Sequence, residues 1–292
     1  MTIRPSARPS EKSAYFAGPL PPLLKWAGGK RWLVDELITS FPPNAAHYYE
    51  PFLGGAATFF ALRPKRSVLS DTNPELINCY VQVKKHPDLV LDCLRKLRNT
   101  EASYFRVRSQ QPTDPLERAA RLLFLTTLSF NGIFRENLKG MFNVPYGGKT
   151  HVNPADTEKI LAASAGLQGA RILCADFEAA TETAKRGDLV YFDPPYTVAH
   201  GNNGFVKYNA KIFSWEDQVR LARTAERLAG RGCFVFVSNA DHKSIRTLYK
   251  QFELRIVDRH SRIAASSRYR KAITECLFFN AEVNSARAAE YK

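Results

Sequence analysis

The stretch with the clearest chemical potential is 189–196, in which four apolar residues are followed by Asp193, two prolines and Tyr196. A short, β-favouring apolar run predicts a buried strand over Leu189–Phe192. Proline disfavours a helical conformation of the residue before it, so Asp193 should be extended where this strand ends. A carboxylate and a ring on such a loop can hold a flat, polar molecule. A strand followed by an ordinary proline-rich turn would show the same sequence pattern. Whether this stretch is a functional site therefore depends on the neighbouring motifs.

A second candidate site lies in the segment Trp26–Lys30, which contains two glycines and precedes apolar residues at helical spacing. Glycines let the backbone approach a ligand, and the amides at a helix start favour an anionic group. Lys30 could add a positive charge for a carboxylate or a phosphate. The segment is not a phosphate-binding P-loop, because Arg31 stands where that motif requires Ser or Thr.

A third candidate combines a glycine turn with an acidic residue. Residues 48–60 read as a strand, a turn at Gly54–Gly55 and a helix, and a second strand, Ser67–Ser70, ends at Asp71. Asp71 lies 21 residues after Glu50, close to the spacing at which nucleoside-binding α/β folds bind ribose hydroxyls. An ionised carboxylate accepts such bonds well. An ordinary strand-turn-helix unit is the alternative.

The elements that must position these residues alternate between strand and helix, as in a sheet covered by helices. In open sheets of this kind, ligands bind at the carboxyl ends of the strands. One strand ends at Asp176-Phe177, a polar acceptor and a ring suited to an adenine moiety. A helix over 215–229, with Ser214 as its N-cap, should pack on the core. Further strands are predicted over 170–175, 233–237 and 274–279.

From about Val83 to Leu167 this alternation gives way to basic helical segments and polar loops. Residues 84–108 hold seven Lys or Arg against three Asp or Glu, and 119–128 read as an apolar helix. The stretch 129–149 then mixes aromatic, amide and basic residues around Asn-Gly and Lys-Gly turns. Amides and Arg can read base edges, basic residues can hold phosphates, and aromatic rings can wedge into a stack of bases. A solvated hairpin would have a similar composition.

The charge balance agrees with a nucleic-acid partner. The 292 residues include 42 Lys or Arg and 28 Asp or Glu, which gives a net charge of +14. Such an excess favours nucleic acid or another anionic surface, although a generally basic protein would show it too. Residues 243–271 hold nine basic residues against two acidic ones and form a second candidate surface for phosphates.

Cysteine and histidine usage predicts a reduced protein without a metal site. The five cysteines are far apart and form no Cys-x-x-Cys pair, and the six histidines show no ligand-like spacing. No apolar stretch has the length of a membrane span, and the first residues do not read as a signal peptide. We therefore expect a cytoplasmic protein that acts as a monomer, without a membrane or metal partner.

Taken together, these motifs resemble those of the Dam-like, D12 class of adenine-N6 DNA methyltransferases over residues 22–280. Several motifs in one chain order are more specific than any one of them. The resemblance implies an α/β fold: a Rossmann-like, S-adenosylmethionine-dependent methyltransferase sheet with an inserted, mainly helical target-recognition domain that carries a β-hairpin. The matching pieces are Leu24–Lys30, Glu50–Gly55, Ser70–Asn73, Phe130–Gly132 with Arg135 and Asn137, Phe142–Pro145, Asp176-Phe177 and Asp193–Tyr196.

The resemblance also implies the domains and the cofactor. The catalytic domain is expected over 22–82 and 168–280, the target-recognition domain over 83–167, and flexible tails over 1–21 and 281–292. The implied cofactor is S-adenosylmethionine, with Asp71 on its ribose hydroxyls. Ala56 stands where many relatives carry a further glycine, and since its methyl group is small we expect binding to survive. The implied cofactor residues are Trp26, Lys30, Phe52, Gly54, Asp71, Asp176, Phe177 and Asp193.

The implied substrate is double-stranded DNA, with GATC as the expected target. Arg135 would contact a guanine and Asn131 the adjoining base step. Because the target amine lies inside the duplex, the adenine must be flipped out. Tyr196 would stack on it, and the Asp193 carboxylate and Pro194 carbonyl would accept hydrogen bonds from its amine. The implied catalytic residues are Asp193, Pro194, Pro195 and Tyr196, and the implied DNA contacts are Phe130, Asn131, Arg135, Asn137, Asn143 and Pro145.

Other functions on related sequences remain alternatives. RNA or protein amide methyltransferases more often carry Asn, and cytosine-N4 enzymes Ser, at the position of Asp193. A catalytically silent DNA-binding protein could keep the same fold, but an intact set of site residues argues against it: Trp26, Lys30, Asp71, Asp193 and Tyr196. A dinucleotide oxidoreductase is disfavoured because the glycine turn lacks the spaced three-glycine pattern.

Overall fold

The computed structural model describes residues 15, 18–26, 29–30, 32–137, 140–197, 213–259 and 273–280. Most of the predicted tail at 1–21 and all of that at 281–292 lie outside the described residues. Residues 260–271 of the second basic stretch also lie outside them, whereas the rest of that stretch contains a helix and a strand.

Within the described residues, seven strands form one sheet in the order β3-β2-β1-β4-β5-β7-β6. The β1 and β4 strands pair in parallel, as do β4 and β5, whereas β7 is antiparallel to both β5 and β6. From β1 the strands continue through β2 to β3 on one side of the sheet, and from β4 through β5 on the other side. The point between β1 and β4 is therefore the topological switch of doubly wound folds. The predicted α/β class with a Rossmann-like sheet is therefore confirmed, whereas the inserted target-recognition domain stays a prediction. The strands are β1 Tyr48–Glu50, β2 Ser67–Asp71, β3 Ala170–Cys174, β4 Leu189–Phe192, β5 Phe234–Ala240, β6 Glu253–Arg259 and β7 Ile273–Phe279.

The helices begin at the polar caps that their sequences provide. Ser214 and Asp217 form a reciprocal capping box at the helix that follows Ser214, so the helix start predicted there is confirmed. Asn73 and Asp114 accept hydrogen bonds from first-turn amides of two other helices, each with proline in its first turn. The helices are α1 Val34–Ser40, α2 Ala57–Leu62, α3 Pro74–Lys85, α4 Pro87–Arg95, α5 Glu101–Ser109, α6 Pro115–Leu128, α7 Thr157–Leu167, α8 Phe177–Thr181, α9 Trp215–Gly230 and α10 Lys243–Leu248.

The chain forms two compact units. The first comprises Met1–Ile38, Leu53–Lys65 and Leu69–Cys174, and the second comprises Thr39–Phe52, Arg66–Val68 and Ala175–Lys292. In the first unit α6 packs against α3, α4 and α5. In the second, the buried faces of β4, β5 and α9 form a continuous apolar cluster. The predicted division into a catalytic domain and an 83–167 recognition domain follows different boundaries and stays a prediction.

Candidate active site

The 193–196 loop directly follows β4, whose four residues are all buried. The predicted strand is therefore confirmed. Asp193 accepts a 2.8 Å hydrogen bond at Oδ1 from the hydroxyl of Ser238, a fully buried residue of β5. The hydroxyl of Tyr191 lies 3.0 Å from the same Ser238 oxygen. One oxygen of the Asp193 carboxylate is thus held by the neighbouring strand.

Two further buried side chains hold the rest of this loop. Gln218 of α9 donates a 3.2 Å hydrogen bond to the carbonyl of Pro195, and its own amide oxygen accepts one from Asn239 at 3.0 Å. The hydroxyl of Tyr196 donates a 2.6 Å bond to Glu275 Oε2 on β7. Each partner is at most 2% exposed. The 193–196 loop is therefore fixed by side chains from β5, α9 and β7.

The two tyrosines of this network remain neutral donors. Burial raises the pKa of Tyr196 well above its ordinary value, and the charges of Glu275 and Asp193 raise it further. Burial and the charge of Asp193 likewise raise the pKa of Tyr191, whereas its hydrogen bond with Ser238 lowers it. Since a neutral phenol can donate while a phenolate cannot, the bond from Tyr196 to Glu275 persists at any physiological pH.

In the first unit, the glycine turn and Asp71 form one hydrogen-bonded group. The backbone N–H of Gly54 donates to Asp71 Oδ2 at 3.1 Å, and that of Asn73 donates to Oδ1 at 3.0 Å. The Gly54 carbonyl accepts from the hydroxyl of Tyr80 at 2.9 Å. Burial raises the pKa of Asp71, and hydrogen bonds from three backbone N–H groups partly oppose this increase.

The indole of Trp26 lies against the same turn. A Cβ at Gly54 would lie 3.0 Å from Trp26 Cδ1, and one at Gly55 would lie 2.9 Å from the carbonyl oxygen of Leu24. Side chains at these two positions would therefore displace the 24–26 segment. Of the other residues predicted in this segment, Lys30 is buried and Gly28 lies outside the described residues. The structure thus brings Trp26, Gly54 and Asp71 together.

Ala56, which follows the glycine turn, has a left-handed backbone. Its φ of 54° and ψ of 34° place it at the N-terminal boundary of α2, and it is 1% exposed. Left-handed geometry strains an L-residue with a Cβ. A glycine would adopt this conformation without strain.

Asp176 and Phe177 are held by Arg220, which sequence reasoning missed. Both Asp176 oxygens accept bonds from the Arg220 guanidinium, at 2.7 and 2.9 Å, and Oδ1 also caps α8 through the N–H of Glu178. Burial would raise the pKa of Asp176, but the bonds from Arg220 lower it. The guanidinium lies 4.2 Å from the ring centre of Phe177. This ring is 2% exposed and is packed beside that of Phe52, at 5.5 Å between centres.

Residues 129–137 and 140–147 fold back on each other as an irregular hairpin, which we call the 129–147 hairpin. Its isolated bridges pair Ser129 with Tyr146 and Glu136 with Phe142. A hairpin is therefore present as two isolated antiparallel bridges, and its assignment to a target-recognition domain stays a prediction. Next to its outer bridge lie Phe130, which is 55% exposed, and Asn131, whose φ is 54°.

Arg135 of this hairpin is oriented by Asn143. Its Nε donates a 2.8 Å bond to Asn143 Oδ1, and its Nη2 lies 3.4 Å from the Asn143 carbonyl oxygen. The backbone N–H of Asn143 donates back to the Arg135 carbonyl at 3.0 Å. The side chain of Arg135 is exposed. An exposed guanidinium held in one direction suits recognition of a planar acceptor pair.

Neither a membrane-spanning helix nor a cluster of metal ligands is found in the described part of the chain. None of its helices is long and apolar enough to cross a membrane. Within the same residues, no three His, Cys, Asp or Glu side chains cluster as metal ligands do.

Comparison with known proteins decides the family. The family model of the D12 class N6 adenine-specific DNA methyltransferases matches residues 26–263. The chain belongs to this family. It is 38% identical over 271 residues to the Type II methyltransferase M1.LlaDCHI of Lactococcus lactis, covering 89% of this chain and 95% of the relative. It is 34% identical to a DNA adenine methylase of Haemophilus influenzae (88% and 92% covered) and 33% identical to that of Escherichia coli (87% and 93% covered).

The predicted positions of this methyltransferase are found at the ends of the expected strands. Asp71 ends β2, Asp176 follows β3 and Asp193 follows β4. The supporting residues were missed because each lies far along the chain from the residue that it contacts. Ser238 directly follows the strand predicted over 233–237, and Gln218 and Glu275 lie within a predicted helix and a predicted strand without a pattern of their own. A polar residue inside an apolar strand or stripe was the available signal.

Proposed function

We propose that this methyltransferase transfers a methyl group from S-adenosylmethionine to N6 of an adenine flipped out of duplex DNA. The observation that carries the proposal is the fixation of the 193–196 loop by Ser238, Gln218 and Glu275. Buried polar contacts of this kind keep a carboxylate and a ring in one arrangement, which a methyl transfer between two bound groups requires.

The residues of the first unit fit this cofactor. A carboxylate offers about four acceptor positions, and three backbone N–H groups act on Asp71, so at least one position is left for a ribose hydroxyl. Glycine at positions 54 and 55 lets the turn approach the 24–26 segment closely, which brings Trp26 beside the turn that binds Asp71. Trp26 and Lys30 would complete this half of the cofactor contacts. Phe52, Asp176, Phe177 and Asp193 would supply the other contacts, with the adenine moiety assigned to Asp176 and Phe177.

The protein residues orient the adenine amine and stabilise its charge. When bound, S-adenosylmethionine supplies an electrophilic methyl group on a positively charged sulfur. The Asp193 carboxylate and the Pro194 carbonyl accept hydrogen bonds from the amine and so direct its lone pair. As the nitrogen–carbon bond forms and the carbon–sulfur bond breaks, the carboxylate stabilises the positive charge on nitrogen. The amine proton then leaves to water, while Tyr196 stacks on the base.

The 129–147 hairpin is the proposed element that recognises the target DNA sequence. Phe130, the most exposed large apolar side chain of the described residues, would enter the base stack opened by flipping. Arg135 would contact a guanine, with GATC as the proposed site. Asn131, Asn137, Asn143 and Pro145 would complete the contacts. The net charge of +14 would attract the DNA phosphates on either side of the bases that the hairpin contacts.

Mapping N6-methyladenine in a host without adenine methylation tests this function. Cells expressing the wild type should acquire the modification at one short sequence, and cells expressing Asp193→Ala at equal level should not. The substitution removes a half-buried carboxylate at a loop, so circular dichroism should show an intact fold. DNA with no methylated adenine, combined with methyl transfer from labelled cofactor to RNA or protein, would instead indicate an amide or RNA methyltransferase.

A further inference from the structure

The ring of Trp26, a proposed cofactor residue, stacks on the ring of Phe134 in the 129–147 hairpin. Their centres lie 4.7 Å apart with an interplanar angle of 16°. Phe134 directly precedes Arg135 in the chain. A residue assigned to the cofactor is therefore in contact with the neighbour of the residue assigned to the guanine.

On the cofactor side, the position of Trp26 depends on the glycine turn. Its indole is in contact with Gly54, and Gly54 donates to the carboxylate of Asp71. The carbonyl of Trp26 accepts a 3.2 Å bond from Gly29, which precedes Lys30. A ligand bound by Asp71 and Lys30 would thus act on the residues that surround this indole.

On the DNA side, the hairpin contacts the 25–26 segment at a second point. Gly132 has a φ of +66°, and a Cβ there would lie 2.6 Å from Cδ of Lys25. Phe134 also contacts Phe142 edge to face, at 5.7 Å between ring centres. Because Phe142 adjoins Asn143, the ring of Phe134 supports both strands from which the Arg135–Asn143 pair projects.

The ring of Phe134 also borders a pocket. It is half-buried, and it lines this pocket of about 170 Å³ together with Glu136, Met141 and Phe142. Farther along the hairpin, the carbonyl of Val144 accepts hydrogen bonds from Tyr104 and Arg108. The Trp26 contact therefore acts on the part of the hairpin that carries Phe134 and Arg135.

We infer that Phe134 is a positioning residue that couples cofactor binding to sequence recognition. The inference rests on the proposed function, since it needs Trp26 at the cofactor and Arg135 at the DNA. Cofactor bound against Trp26 holds Phe134, and Phe134 holds the hairpin in the arrangement that reads the target. By linkage, target DNA must increase cofactor affinity by the same factor that the cofactor increases affinity for target DNA. A stacked ring pair supports a factor of about two- to tenfold.

The test measures S-adenosylhomocysteine binding to the full chain by calorimetry. Three conditions are compared: no DNA, a duplex with the sequence found by methylation mapping, and a duplex with that sequence scrambled. The variants are wild type, Phe134→Leu, which removes the ring, and Phe134→Tyr, which keeps it. Phe105→Leu makes the same change at an exposed phenylalanine of the same unit outside the proposed sites.

In the wild type and in Phe105→Leu, the target duplex should tighten S-adenosylhomocysteine binding about two- to tenfold over the scrambled duplex. Phe134→Leu should reduce this factor to about one, with its affinity without DNA within about twofold of wild type. Phe134→Tyr should show the same factor as the wild type, about two- to tenfold, because it keeps the ring. A purely structural role would weaken binding equally in all three conditions, and that result would overturn the inference.

A wild type that methylates DNA but shows no coupling would also overturn the inference while leaving the proposed function intact. A wild type that neither binds S-adenosylhomocysteine nor methylates DNA would refute the proposed function itself. If thermal unfolding shows that Phe134→Leu is destabilised, Phe134→Met replaces it, because a flexible side chain fills the space without a ring. Full coupling in a folded Phe134→Met protein contradicts the inference, and loss of coupling supports it.

Discussion

Ser238 and Asp193 occupy matching positions just beyond the last register pair of two parallel strands, Phe192 with Val237, and their side chains meet at 2.8 Å. A strand end alone would leave the Asp193 carboxylate several rotamers. The Ser238 hydroxyl selects one of them, so the direction of the carboxylate is set by β5.

Ser238→Ala should therefore lower kcat by about tenfold or more, because a hydrogen bond to a charged group is worth about 1.5–3 kcal/mol. The KM for the cofactor should stay within about twofold, since the change affects orientation. Ser67→Ala is the matched control, because its hydroxyl is buried without a partner. Equal kcat values for the two variants in a tritiated-methyl assay would argue against this role for Ser238.

Tyr196 is expected to contribute in two separable ways. Tyr196→Phe keeps the ring and removes the bond to Glu275, whereas Tyr196→Ala removes both. Since base stacking is worth about 1–3 kcal/mol, the alanine variant should lose at least about fivefold more kcat/KM than the phenylalanine variant. Steady-state kinetics on an unmethylated duplex gives both values. Indistinguishable losses would show that the ring itself contributes nothing.

Cofactor affinity should depend on pH through Asp71. Burial raises the pKa of this carboxyl, and the protonated form loses acceptor capacity for ribose hydroxyls. Affinity for S-adenosylhomocysteine should fall as the pH drops through the raised pKa, above the usual Asp value of about 3.9. The stability contribution has the opposite sign: the folded state favours the protonated form, so this contribution decreases as pH rises through the same window.

Calorimetric titrations at several pH values, with Asp71→Asn as the comparison, test this dependence. The asparagine variant should bind weakly and without the Asp71 titration. A pH dependence that survives in Asp71→Asn would assign the titration to another group.

Ala56→Gly should be nearly neutral for stability. Relief of left-handed strain, about 1–2 kcal/mol, offsets the loss of a buried methyl group and the greater freedom of the unfolded chain. At Ala225, which is buried within α9, the same substitution relieves no strain and should cost about 2 kcal/mol. Urea unfolding of both variants measures the difference. A loss at Ala56 as large as that at Ala225 would show that its conformation is not strained.

Arg135→Ala should relax sequence discrimination at one guanine position by about 1–3 kcal/mol. Arg135→Lys should rescue little of it, because lysine keeps the charge without the planar pair of donors. Arg98→Ala removes an equal charge from an exposed site outside the hairpin and should leave discrimination unchanged. Methylation rates on duplexes substituted at each position measure this. An unchanged base preference in Arg135→Ala would place recognition elsewhere.

The strand ends that carry Asp71, Asp176 and Asp193 could be predicted because their apolar runs and turns are local features. The contacts of Glu275 and Arg220 could not, since they join residues 79 and 44 positions apart. The β6 strand was missed for a different reason. It is an edge strand whose Leu254 and Ile256 are exposed, so its burial pattern gives no alternation of apolar-in and polar-out residues.

The position of β7 has a consequence for how the protein is made. β7 is the last of the seven strands to be synthesised, yet it inserts next to β5 and between β5 and β6. On the ribosome, β5 therefore has an unpaired edge until residue 279 has emerged. During the same interval the hydroxyl of Tyr196 lacks its hydrogen bond to Glu275. Newly made chains pass through a period of exposure to self-association before the active loop is fixed. The timing of translation and chaperone access over this final stretch should govern the yield of active enzyme.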